Sequence, residues 1–234
     1  MSDTSHPEFE HGTAVVMGGS GGIGSSICTT LAKMGSNVAL SYRSRAANAE
    51  SVVADVRALG CKAHAAQVDL EDASAVKAFV DGVASQFGRI HSVVYAAGRA
   101  LESLYINEIS PTEWARVINS DVNACFNAVA AVLPHLRAQK GGSIVGVVTA
   151  AIVRAPPRHI LSAAPKAAIQ MLIRGVAREE GRSGIRANCV GPGYIEAGLG
   201  LSAVHSHTTD YEQRMINAVP LRRAGQAQDV ANAV

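Results

Sequence analysis

Aromatic side chains are scarce in this chain, at 4% of residues against a hydrophobic fraction of 48%. A core so poor in rings has to be filled by Ala, Val, Ile and Leu, the composition of parallel sheets covered by helices. Cysteine is also sparse: Cys28, Cys61, Cys125 and Cys189 stand far apart among apolar neighbours. That spacing excludes a paired zinc or redox motif and reads as buried thiols. No basic or acidic run occurs and the formal charge is only +2, so no nucleic-acid partner is expected. No apolar run approaches membrane-spanning length, and the polar stretch Met1 to Gly12 lacks the apolar centre of a secretory signal, which makes a cytoplasmic protein without a membrane partner the expectation. Linkers, shifts in composition and internal repeats are absent too, so residues 1–234 read as a single domain.

What is present is alternation. Strand-like runs occur at Ala14 to Met17, Asn37 to Ser41, Ala63 to Val68, Ser92 to Ala96, Ser143 to Val148 and Arg186 to Val190. Between them Ile23, Ile27, Leu31 and Met34 follow helical spacing, as do Val76, Phe79, Val80 and Val83, then Val122, Phe126, Val129 and Leu133, then Ile169, Leu172, Ile173 and Val176. Strands alternating with helices predict an α/β fold: a doubly wound parallel sheet in three layers, with helices on both faces. Residues 198–220 break the pattern with Gly, Ser, His and Thr. Lying beyond the carboxyl end of the last strand, they read as a substrate loop or, alternatively, a variable surface loop. Within them His205-Ser206-His207 lacks the further ligands of a metal site, and no metal is expected.

The first strand runs into Gly18-Gly19-Ser20-Gly21-Gly22-Ile23-Gly24 and then a helix. A glycine turn at a helix N-terminus presents unpaired N–H groups and the positive end of the helix dipole, which suits a pyrophosphate. Gly18 would allow the tight turn, Gly22 the approach of phosphate and Gly24 the packing of helix on strand, with Ser20 and Ile23 in the same turn. The second strand ends in Ser41-Tyr42-Arg43-Ser44-Arg45, with no carboxylate to bond ribose hydroxyls. Arg43 and Ser44 instead suit a 2′-phosphate, favouring NADP(H) over NAD(H), against the alternative of solvated surface arginines. Asp69-Leu70 closes the third strand near the adenine edge, and Ala97-Gly98 closes the fourth with small residues where a ribose approaches.

In order and spacing, Gly18, Gly22 and Gly24, Asp69-Leu70, Ala97-Gly98, Asn123, Thr149, Lys166 and Pro192-Gly193 resemble the short-chain dehydrogenase/reductase family. The stretches 38–54 and 184–196 look most like its 3-oxoacyl-carrier-protein reductase branch. The resemblance implies a Rossmann fold, a nicotinamide cofactor, a small or carrier-bound carbonyl or alcohol substrate, and a homotetramer or homodimer. It also implies roles: Lys166 on the nicotinamide ribose, Thr149 on the substrate oxygen, Asn123 on a relay water, and Pro192, Gly193 and Ile195 bordering the cofactor.

One position departs sharply. The family places a Tyr four residues before the Lys; here that position is Ser162. A serine hydroxyl is a far weaker acid than a phenol, and it is shorter. His159 and Tyr194 are further candidates for the proton donor, with a solvated loop residue and a packing residue as their bland readings, and water as the remaining source. Met17, Tyr95-Ala96 and Ala197 also replace the family's usual Thr, Asn pair and Thr. The chain stops at Val234, in a helix beginning near Gln226, where the family continues into a further strand. The resemblance therefore implies either a truncated sequence or an exposed sheet edge near residue 190. Two readings of function follow: an NADP(H)-preferring carbonyl/alcohol oxidoreductase, or a catalytically silenced nucleotide-binding homologue, with a non-redox activity as a third.

Overall fold

The computed structural model describes residue 9, residues 12–197 and residues 209–234, the last group from residue 213 onward for side chains. Its centre is a parallel sheet of β1 (Thr13–Met17), β2 (Asn37–Tyr42), β3 (Ala63–Gln67), β4 (Ile90–Tyr95), β5 (Gly142–Val147) and β6 (Ile185–Val190). The spatial order is β3-β2-β1-β4-β5-β6. Each strand lies within a residue or two of its predicted run. β1 is buried along its whole length, which is why it reads as an unbroken apolar run rather than an alternating one.

The helices are α1 (Gly22–Lys33), α2 (Ala46–Ala58), α3 (Ala73–Phe87), α4 (Pro111–Ile118), α5 (Ala124–Ala138), the short α6 (Ala151–Arg154), α7 (Ile160–Glu180), α8 (Thr209–Ala218) and α9 (Ala227–Ala233). They cover both faces of the sheet. Val15 and Met17 of β1 join one core with Phe79 and Val80 of α3, Val132 and Leu136 of α5, and Ile169 and Ile173 of α7. Ala14 and Val16 face the other way, into a core with Ile27 and Leu31 of α1, Val52 and Val56 of α2, and Val230 of α9. Adjacent strand residues point to opposite faces, so one short strand supplies both layers.

Two sequence expectations need correction. Of Val122, Phe126, Val129 and Leu133, whose spacing marks α5, Val129 is buried but Phe126 is 57% exposed, and the buried stripe runs through Ala124, Cys125, Ala128, Val129, Val132 and Leu136. The irregular segment 198–220 contains α8, because the run from Thr209 has neither Gly nor Pro before Pro220 and its Gln213 side chain donates to Asn217 one turn on, at 3.1 Å. Its first part, with His205 and His207, lies outside the described residues. Among the described residues no helix is long and apolar enough to cross a membrane.

Candidate active site

The glycine turn is held by backbone. Gly18 has φ +83°, and a Cβ there would stand 2.7 Å from the Cα of Ala97. A Cβ on Gly24 would stand 2.3 Å from the carbonyl oxygen of Gly18, so only glycine lets α1 pack onto the end of β1. Gly19, which sequence reading left without a role, presses on Leu40 in the same way, at 2.6 Å for an added Cβ. The Ser41 hydroxyl accepts from the Gly18 amide at 3.2 Å and the Ser41 carbonyl from the Gly19 amide at 3.0 Å, tying the turn to β2. Gly21 precedes α1 without any side-chain cap, leaving the first amides of the helix for a ligand. A cradle that any side chain would fill, ending in an uncapped helix, fits a dinucleotide pyrophosphate. Ser20 is buried in this turn, whereas Ile23 is partly buried against the core behind it.

Beyond β2, Arg43, Ser44 and Arg45 are exposed, and neither arginine has an ion-pair partner among the described residues. Asp69 is also exposed and accepts from the Glu71 amide at 3.0 Å. The following turn is stitched to α5 by Asn127, whose amide donates to the carbonyl of Leu70 at 2.9 Å.

The ends of β4, β5 and β6 converge on the other side. Ala96 donates from its backbone to Met17 at 2.9 Å, fixing the β4 end beside the glycine turn. Ala150 donates to the carbonyl of Pro192 at 2.9 Å, joining the segments after β5 and β6. Beyond Pro192 and Gly193, Ile195 pairs with Gly225. The Thr149 hydroxyl accepts from the Ala151 amide at 3.2 Å, which leaves its hydrogen free to donate. Ser162 lies in the first turn of α7, its hydroxyl without a hydrogen bond among the described residues and its amide bonded to the His159 carbonyl at 3.0 Å. His159 begins the helix, with Nδ1 3.0 Å from the Pro157 carbonyl oxygen. Pro165 offers no N–H to that first turn. One helical turn after Ser162, Lys166 reaches the Ala97 carbonyl at 3.4 Å.

Asn123 is not brought to this cleft. It is exposed and donates to Asn119 at 2.8 Å. The chain from Asn119 to Asn123 forms a widened, π-helical turn between α4 and α5, and it is Asp121 that points inward, with a carboxylate oxygen 2.9 Å from the Lys166 nitrogen. The Tyr95 hydroxyl donates to the Asp121 carbonyl at 3.1 Å, and burial pushes that phenol well above its ordinary value. Asp121 was missed, although a signal was there. Val117, Asp121, Ala124 and Ala128 follow one another at helical spacing in an otherwise apolar, buried stripe, and a carboxylate in such a stripe needs a buried partner.

Residues 12–206 match the family model described as short chain dehydrogenase. The chain is 33% identical over 222 residues to the 3-oxoacyl-[acyl-carrier-protein] reductase FabG of Staphylococcus aureus, covering 95% of this chain and 88% of the relative. A short chain dehydrogenase from Burkholderia cenocepacia, solved in complex with NADP, is similar in structure at a TM-score of 0.86 and 33% identity, over 97% of this chain and 90% of that one. The NAD+-bound xylitol dehydrogenase superposes at 0.89 with 27% identity, over 97% and 92%. The chain belongs to the short-chain dehydrogenase family. Its chemistry is oxidoreduction at CH–OH groups with a nicotinamide cofactor, on the six-stranded Rossmann sheet described above.

Proposed function

We propose that this chain is an NADP(H)-preferring oxidoreductase that interconverts a carbonyl and an alcohol on a 3-oxoacyl-like or other small ketone, free or carrier-bound. The observation that carries the cofactor preference is the end of β2, where Arg43, Ser44 and Arg45 stand exposed and no carboxylate takes their place. Charge-assisted hydrogen bonds from a guanidinium favour a 2′-phosphate over a free hydroxyl. When bound, the nicotinamide supplies or accepts the hydride. Gly18, Ser20, Gly22, Ile23 and Gly24 hold the pyrophosphate side, with Asp69 and Leu70 at the adenine edge. Ala97, Gly98, Pro192, Gly193 and Ile195 border the nicotinamide half. Lys166 holds its ribose and Thr149 donates to the substrate oxygen. The proton comes from Ser162, His159, Tyr194 or water. The protein works in the cytoplasm as a homodimer or homotetramer.

Ser162 supports a second reading, a silenced homologue that binds the nucleotide and does not turn over. Consumption of NADPH and of NADH over a panel of 3-oxoacyl thioesters, ketones and quinones separates the two, since the silent reading allows no consumption that scales with protein. For the preference, Arg43→Ala is expected to weaken NADPH roughly 10- to 100-fold, the worth of charge-assisted bonds, and to leave NADH nearly unchanged. Equal loss for both nucleotides would remove the phosphate role of Arg43.

A further inference from the structure

Lys166 does not enter the cleft as a free cation. Its side chain is 12% exposed and that of its partner Asp121 3% exposed. The carboxylate and the Ala97 carbonyl engage two N–H groups of the ammonium, and one is left. Asp121 is fixed from behind, through the Tyr95 hydroxyl on its carbonyl and through the widened turn that carries it. Its other carboxylate oxygen, Oδ1, is buried and has no hydrogen-bond partner among the described residues. An orphaned carboxylate oxygen costs free energy, and native structures seldom keep one without a use. Being inaccessible, that oxygen makes no ligand contact, so whatever Asp121 does, it does through Lys166.

We propose that Asp121 is the positioning residue of the nicotinamide half of the cleft, holding the Lys166 ammonium in place so that its remaining N–H meets a hydroxyl of the bound dinucleotide. The proposal rests on the dinucleotide reading above. Around the pair stand Tyr95 from β4, Cys125 from α5, Cys189 from β6 and Glu71 from the turn before α3. Burial pushes the Cys125 thiol up to about 12 and raises Cys189 and Tyr95 as well. These three groups therefore stay uncharged near neutral pH and add no charge beside the pair.

The test is the dissociation constant of NADPH, read by ligand fluorescence at neutral pH, for the unmodified protein, Asp121→Asn, Lys166→Met and the double variant. Asp121→Asn is expected to weaken NADPH roughly 10- to 100-fold. In the Lys166→Met background the same change is expected to do nothing further, the signature of action through Lys166. Unchanged affinity in Asp121→Asn, or an equal loss in both backgrounds, overturns the proposal. If Asp121→Asn does not fold, Asp121→Glu keeps the charge and moves the ammonium by one methylene. Weaker binding is then expected, and unchanged binding again overturns the proposal. Failure of the unmodified protein to bind NADPH or NADH is a different outcome, which removes the dinucleotide reading itself.

Discussion

Where β1 ends, the wall of the cleft is backbone; where β4, β5 and α7 meet, it is side chain. On the first side the fit is set by distances that exclude any Cβ, as at Gly18 against Ala97 and Gly24 against Gly18. On the second it is set by the Asp121–Lys166 pair, the Tyr95 hydroxyl and the free hydrogens of Thr149 and Ser162. A backbone wall tolerates almost no change, because every substitution adds atoms where there is no room. A side-chain wall tolerates a change of chemistry without a change of fold. Ser162 is such a change, and it sits on the side-chain wall, beside the Asp121–Lys166 pair.

The sharpest way to press this contrast is Ser162→Tyr. If only the chemistry of the second wall differs, restoring a phenol one turn before Lys166 should raise the rate of NADPH-dependent carbonyl reduction by about 10²- to 10⁴-fold, the usual worth of a positioned general acid. The affinity for NADPH should hardly move. Activity in the unmodified protein that the substitution leaves unchanged would mean that another group, with His159 and Tyr194 first in line, already donates the proton.

The same contrast governs what could be read from the sequence. All the strands of the sheet were legible, because buried parallel strands are apolar runs bounded by turns, and the glycine turn was legible because its geometry demands glycine. Asn123 was misplaced, since residue type alone cannot say which of the polar residues in Asn119-Ser120-Asp121-Val122-Asn123 faces inward, and the widened turn there changes the angle each one takes. α8 escaped because its residues are polar on average, so it follows Gly, Ser, His and Thr without an apolar run to set it apart. Asn127, which ties α5 to the turn after β3, gave no local signal at all: its partner Leu70 lies 57 positions away in sequence.

The two walls are also joined at the far end of the sheet, and there the expected effect is on stability alone. His91, on β4, is 5% exposed. Its Nε2 lies 3.0 Å from the Ser36 hydroxyl, which precedes β2, and its Nδ1 lies 3.0 Å from Ser92. Burial, with Arg89 nearby, lowers the imidazole from 6.5 to about 4. A histidine held neutral in this way binds fewer protons folded than unfolded between those values, so its contribution is fully present above pH 6.5 and lost as the pH falls towards 4. The loss amounts to about 3 kcal/mol. Urea denaturation across that range should show the decline, and His91→Asn, which keeps a donor and an acceptor but does not titrate, should flatten it. An equally steep decline in the variant would assign it to other groups.

The smallest effects come from adding a single methyl to each wall. Gly24→Ala places a carbon 2.3 Å from the Gly18 carbonyl, and forcing atoms into such a contact costs about 1–3 kcal/mol of stability. Since α1 can relieve the clash only by backing away from β1, the amides of its first turn must also leave the phosphate site, and NADPH binding should weaken with the fold. On the other wall, a Cβ at Gly193 meets nothing within 4 Å among the described residues, so the stability of Gly193→Ala is expected to stay within about 0.5 kcal/mol of the unmodified protein, as at open surface positions. Thermal unfolding and NADPH titration of the two variants side by side read this difference. If Gly24→Ala binds NADPH as tightly as the unmodified protein, the closeness of α1 to β1 is a packing feature alone, and the glycine turn owes its shape to the core rather than to the ligand.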